Sequence, residues 1–396
     1  TLTETTNDGC VSGNTDAVVV TVTVPGTWDG STSTDWAEAS NWACDLVPTS
    51  SSDVVVPDVT NQPSISSTVS VASLIVNSDA DITVSSGSIT VSGASDIDGT
   101  LSIASSAVFD ADGAFDATGG SVTFTGSGRL QMSNTVTSLG SFTRSSGTVE
   151  YDGGSQTVLG MSASSGSSYN NLEIDGTGTK TMAATSKVYG DLILTAGDFD
   201  IDGNTVYLKS DMTRTAGNLI STGSGSITMD NSAAHNICAF NDEDINLKAT
   251  STGGSVTTTG DITCKTIDLL SGSKTFLIAG QTINVEDDIE VTAGTLQITS
   301  GVLNINAGGN NVLKIDGGTF DLDGGTVNVG NTSSGDLDMT AGTLDVSGGT
   351  LNVVDQLSAS SGAPTITQSG GTINIKSYVG SGGGTSNYIT TSNYVS

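Results

Sequence analysis

A hard cation, a disulfide and a proton relay are the three kinds of chemistry that individual residues of this chain could support. Two acidic runs, Asp242-Glu243-Asp244 and Glu286-Asp287-Asp288, offer the carboxylate oxygens that calcium prefers. Asp321 and Asp345 join Glu286, Asp287 and Asp288 as calcium candidates. The two lie one sequence repeat apart, and like charges on adjacent repeats raise a pKa or recruit a cation. The plainer reading is solvated acid. Asp198-Phe199-Asp200-Ile201-Asp202-Gly203 opens like a calcium-binding loop. The position that needs a bidentate glutamate is Lys209, so Asp200 is read instead as the outward residue of a strand. Cys10, Cys44, Cys238 and Cys264 show no CxxC spacing and hence no zinc pattern. Cys238 and Cys264 are separated by close to one repeat and form a candidate disulfide between coils. Cys10 is left to pair with Cys44 or with an upstream residue. A histidine-centred site would rest on His235 alone.

Charge narrows the classes further. Of 396 residues, 42 are Asp or Glu and 11 are Lys or Arg, a net charge of −31. A nucleic-acid binder needs a basic face to displace counterions, and the arginines are only Arg129, Arg144 and Arg214. No basic amphipathic helix appears for a membrane surface, and no apolar run approaches the roughly 20 residues of a spanning helix. The expected partners therefore exclude nucleic acid and membrane insertion, and no cofactor is expected, with calcium the one candidate ion.

The elements that must carry these residues are short strands. From Ile289 onward a triplet apolar–polar–apolar recurs: Ile289-Glu290-Val291, Leu296-Gln297-Ile298, Leu303-Asn304-Ile305, Leu313-Lys314-Ile315, Phe320-Asp321-Leu322 and Val327-Asn328-Val329. Leu337-Asp338-Met339, Leu344-Asp345-Val346 and Leu351-Asn352-Val353 complete a third cycle, each cycle stepping by 7, 7 and 10. A blurred fourth cycle keeps Ile373-Asn374-Ile375. Glycine precedes many triplets (Gly294, Gly301, Gly318, Gly325, Gly342, Gly349, Gly371), where a corner with positive φ is expected. Each triplet buries two side chains, and three per repeat give a triangular coil stacked by parallel pairing. The fold expected is an all-β parallel β-solenoid of three short strands per rung of about 22–24 residues. An antiparallel sandwich is the alternative, but hairpins would not hold the beat. Leu192-Ile193-Leu194, Phe199-Asp200-Ile201 and Val206-Tyr207-Leu208 keep the same step of 7.

The middle residues of the triplets form outward columns. One reads Asn304, Asn328, Asn352, Asn374, either a structural ladder of amides or simply a soluble face. A second reads Gln297, Asp321, Asp345, and a third Glu290, Lys314, Asp338. The absence of outward threonine columns argues against ice binding.

Residues 1–25 read as the terminal strands of a preceding immunoglobulin-like module, with Pro25-Gly26 as boundary. Residues 26–60 hold Trp28, Trp36 and Trp42, large apolar area suited to capping an open first rung; sugar stacking is the functional alternative. Residues 61–378 form the solenoid, and 379–396 a Gly/Ser-rich linker.

The Gly-Thr-Trp-Asp-Gly segment at 26–30, with Asp35-Trp36, Asn41-Trp42 and Val47-Pro48, resembles the opening of very large repeat-rich surface proteins of Bacteroidota. Gly147-Thr148-Val149-Glu150-Tyr151-Asp152-Gly153 and Tyr169-Asn170-Asn171-Leu172-Glu173-Ile174 are similar in the same way. The resemblance implies type IX secretion cargo and gliding-motility-like adhesins, hence an extracellular location on a bacterial surface. That system's sorting domain is not visible here.

Two functional readings follow. The first is a non-enzymatic rod within an adhesin or filament, whose partners are glycans or substratum, neighbouring modules, or further copies end to end. The second is a glycan-binding or polysaccharide-degrading β-helix, which would need paired carboxylates or clustered bases in a groove.

Overall fold

The structure is a computed structural model that describes residues 25–161, 168–306, 312–331, 334–359, 362–376 and 378–380. The strand pair expected before residue 25, Cys10, and the Gly/Ser-rich segment from 381 lie outside the described residues.

Alternating burial builds the strands. In Thr326–Val329 and Thr350–Val353 every second side chain points into a dry core while its neighbours face outward. So narrow a strand satisfies its backbone only by pairing with the coil above and the coil below. The strands therefore stack in parallel: Thr326–Val329 lies in register between Val302–Ile305 and Thr350–Val353. The result is the parallel β-solenoid, with about 15 rungs. At about 4.8 Å per rung it extends on the order of 70 Å.

Three faces run along the rod. The first begins at Asp53–Val56, the second at Ser64–Ile65 and the third at Thr68–Val71. The first strand thus starts inside the segment read as cap, and pairing continues through Tyr378–Gly380. The 7, 7, 10 beat belongs only to the last rungs, where Leu313 stands opposite Leu337. Earlier rungs are shorter, with Asp53 opposite Ser73 and Asn246 opposite Thr266. The steps of 7 have a cause in the strands themselves. Thr275–Val285, Thr295–Ile305 and Asp336–Val346 each bend round a corner and carry two triplets on two faces.

Glycine makes those corners. Gly325 has φ 75°, and a Cβ there would meet the Gly301 carbonyl oxygen at 2.5 Å. Gly349, one rung on, meets the same restriction from Gly325 at 2.7 Å. Six of the seven glycines singled out by position have positive φ, and Gly318 is the exception.

The tryptophans close the first rung. Trp28, Trp36 and Trp42 are all buried. Trp42 stands edge-on to Trp28 at 4.9 Å and to Trp36 at 4.6 Å. Trp28 Nε1 donates to the Asn61 carbonyl at 2.7 Å, and Trp42 Nε1 to the Trp36 carbonyl at 2.7 Å. Thr27 and Asp35 add parallel bridges to Val55 and Ser64. Buried Asn41 ties the covering loop, accepting from the Thr32 and Ser33 amides and donating to Ser33 Oγ and the Asp35 carbonyl. None of the three indoles is left exposed to stack on a sugar.

Trp42→Ala should therefore cost about 3–5 kcal/mol in the first rungs. Hydrogen exchange should accelerate in Asp53–Val56 and Ser64–Ile65 and stay unchanged beyond residue 289. Uniform acceleration along the chain would contradict a local cap.

Candidate functional site

Most outward polar columns are consumed along the rod axis. Asn304 Nδ2 donates to Asn284 Oδ1 at 2.9 Å. Asn328, Asn352 and Asn374 each donate to the Oδ1 of the asparagine one rung before, at 2.8 Å. Asn284, absent from the sequence column, heads this ladder of five. Gln297 Nε2 bridges Asp321 at 3.1 Å and Asp323 at 2.9 Å. Lys314 pairs with Asp288 at 3.0 Å, off the column in which Glu290 and Asp338 are its register neighbours.

The calcium candidates do not converge. Asp321 and Asp345 are register partners, Asp288 is held by Lys314, and Asp287 is exposed. Burial, then Asp323 and Asp345, push the Asp321 carboxyl above its ordinary range. Burial, then Glu243, do the same for Glu286. Among the described residues, the carboxylates that approach a metal-binding arrangement are Glu150, Glu173 and Asp175, with oxygens within 4.8 Å of one another. Arg129 already bonds both Glu150 and Glu173, so a cation entering there would compete with its guanidinium.

That cluster marks the irregular part of the rod. The third face is continuous from Thr68–Val71 to Thr365–Gln368. The first face is interrupted: no pairing joins Val136–Ser138 to Gln156–Val158. On the second face the described pairing reaches Ser141–Thr143, and the next described bridge joins Tyr169 to Val188. Buried polar side chains take over where ladder bonds are missing. Gln156 Nε2 donates to the carbonyls of Met132 at 2.7 Å and Asn134 at 2.8 Å, while its Oε1 accepts from the Gly153 amide. Lys180 Nζ, wholly buried, donates to the carbonyls of Gly153 and Thr177, both at 2.8 Å. The Tyr151 and Tyr169 hydroxyls lie 3.1 Å apart, and Tyr169 donates to the Leu159 carbonyl. Burial pushes the Tyr151 phenol up to about 12. The open flank is a groove of about 650 Å³ lined by hydroxyls and amides, including Asn134, Thr135, Thr157 and Thr181. Sequence reasoning missed these residues. The available signal was the loss of the strand beat in the Ser/Gly-rich stretch around 160–168.

Two sequence readings are corrected, the Cys238–Cys264 disulfide and the outward Asp200. Cys238 and Cys264 are free, buried thiols and form no disulfide. Phe240 is in register with Ile262, which sets Cys264 opposite the neighbourhood of Asp242 and well along the chain from Cys238. Cys44, with φ 67°, is a free and exposed thiol. Asp200 is not merely outward: it is buried, and accepts from the Asp202 and Thr222 amides at 2.8 Å and from the Thr222 hydroxyl, stapling two rungs. His235 is buried, with Nδ1 2.9 Å from the Ser210 carbonyl, and is no part of an open site.

A family described as a domain of unknown function (DUF8693) matches residues 27–137. The matched part spans the tryptophan cap and the first rungs and ends inside Val136–Ser138, the last first-face strand before the interruption. Neither a curated protein nor a solved structure matches the chain.

Two outcomes are expected. Under native conditions a thiol reagent should label Cys44 and spare Cys238 and Cys264, whose thiols burial pushes up, Cys238 to about 11. Unfolding should expose both without a reductant; a requirement for reductant would restore the disulfide. Stability should also rise on mild acidification. Asp96, Asp110, Glu150, Asp268, Glu286 and Asp321 all have folded pKa values raised above the ordinary 3.8 or 4.5, with burial the first cause in each. The folded state takes up these protons first as pH falls, and the gain is complete below the unfolded values. His235, lowered by burial, opposes this below 6.5. The Tm by circular dichroism should therefore increase as pH falls toward the unfolded carboxylate values of 3.8 and 4.5. A falling Tm over that interval would be the contrary result.

Proposed function

We propose that this chain is a non-enzymatic, rigid rod segment of an extracellular bacterial surface adhesin or filament. One observation carries the reading: the outward side chains of the asparagine ladder and its neighbouring columns bond from rung to rung along the rod. The asparagine ladder, the Gln297–Asp321–Asp323 bridge and the Asp200–Thr222 staple all stiffen the stack. A net charge of −31 keeps such a rod soluble and discourages lateral association. The likeness of its tryptophan and tyrosine motifs to repeat-rich Bacteroidota proteins supports a type IX secreted, gliding-adhesin-like role, with neighbouring modules of one polypeptide as first partners.

Negative-stain electron microscopy of the purified chain and of the shed native protein tests this. Straight rods on the order of 70 Å, single or as beads on a longer tether, are expected. Flexible or globular particles would sink the reading. So would release of reducing ends from algal or bacterial glycans that a point substitution abolishes. Within the rod, Asn328→Ala should cost about 1–2 kcal/mol, because it removes two amide bonds of the ladder. Faster hydrogen exchange confined to the strands around 302–353 would report it; unchanged exchange would make the column no more than a soluble face.

A further inference from the structure

The second face carries a concentration of cations that the rest of the molecule lacks. Among only 11 basic residues, three surround one ring. Arg144 Cζ lies 3.6 Å from the centroid of Tyr189, Lys187 Nζ 5.6 Å and Lys209 Nζ 5.9 Å. Lys187 also stands 5.7 Å from the ring of Tyr207, its register partner one rung on. Lys187 and Lys209 share one carboxylate, Asp230, at 3.0 and 3.2 Å. Three cations against one anion leave a positive island on a chain of net charge −31. Lysine and tyrosine alternate between adjacent rungs, and Asp230 fixes the ammonium groups in place.

Two features point this island outward. Tyr189 is 37% exposed, one of the few large apolar side chains on the described surface. Arg144 is half-buried and, among the described residues, its guanidinium makes no ion pair or hydrogen bond, so its donors remain free. It also lines a hollow of about 310 Å³ with Phe142, Thr143 and Ser145, at the end of the second-face strand Ser141–Thr143.

We propose that Arg144, Tyr189, Lys187, Lys209 and Tyr207 form a binding site for an anionic polysaccharide. The free guanidinium takes a carboxylate or sulfate in a bidentate, charge-assisted pair. The phenol rings supply apolar surface for the C–H faces of the sugar, with a polar hydroxyl at the edge. A neutral glycan would leave the cations unused. A nucleic acid, whose affinity rests on many neutralised phosphates, would find too few cations here. This inference deepens the adhesive part of the reading above and rests on it for its setting, not for its geometry.

Affinity electrophoresis of the full chain through gels containing alginate, chondroitin sulfate or neutral dextran tests the proposal. Runs at about 0.15 M salt with a chelator limit repulsion from distant carboxylates to about 8 Å. Retardation by alginate or chondroitin sulfate, and none by dextran, is expected. Arg144→Gln should weaken it about tenfold, the loss of one charge-assisted pair. Tyr189→Ser should weaken it as well, whereas Tyr189→Phe, which keeps the ring, should bind like the parent. Unchanged melting of these surface variants by circular dichroism separates lost binding from lost folding. Equal retardation of the parent and Arg144→Gln, equal retardation by dextran, retardation only by duplex DNA or polyglutamate, or none at all would each overturn the proposal. Straight rods in the microscope alongside any of these results would leave the rod itself standing.

Discussion

Backbone hydrogen bonding between successive rungs is the constraint on which everything else here depends. A strand of three or four residues has no stability of its own, and its amides find partners only in the coils above and below. Each rung must therefore place its strands at the height and register of the last. That requirement forces apolar residues to alternate inward and glycines to turn the corners. It also lets identical residues face each other one rung apart, and the five asparagines of the ladder turn this coincidence into bonding. Asp321 opposite Asp345 shows the opposite face of the same rule, since repetition stacks like charges as readily as amides.

The rule also explains where polar groups go inside. In most rungs the core is apolar, with Lys274 and His235 also buried along regular rungs. Where the first face is interrupted, buried polar side chains supply bonds that the ladder does not. Gln156, Lys180, Tyr151 and Tyr169 reach the orphaned carbonyls and amides from within. Arg129 with Glu150 and Glu173 braces the third face, whose ladder crosses without a gap.

Legibility followed the same division. The last rungs were readable because Leu313, Leu337 and Leu351 recur on a regular beat and the residue between two apolar positions must point out. The cap was readable because Trp28, Trp36 and Trp42 crowd into one short segment of a chain otherwise without tryptophan. The shorter rungs before Ile289 blurred the beat, because corners can absorb a change in length without disturbing the strands. Cys238 and Cys264 misled for that reason: a spacing near one rung says little when rung length varies. The island around Tyr189 was illegible because Arg144 and Tyr189 are distant in sequence and meet only across irregular rungs. Lys180 looked like one of several scattered surface lysines, and nothing local marks it as an interior bond.

The gap in the first face gives the rod a mechanical grade. Tension applied at its ends is shared along the faces through most of its length, but between Val136–Ser138 and Gln156–Val158 the first face carries it through side-chain struts. Bonds that break one at a time yield at lower force than bonds strained together. On this geometry a pull along the rod finds its weakest link at that gap, while the third face holds the coils in register on either side.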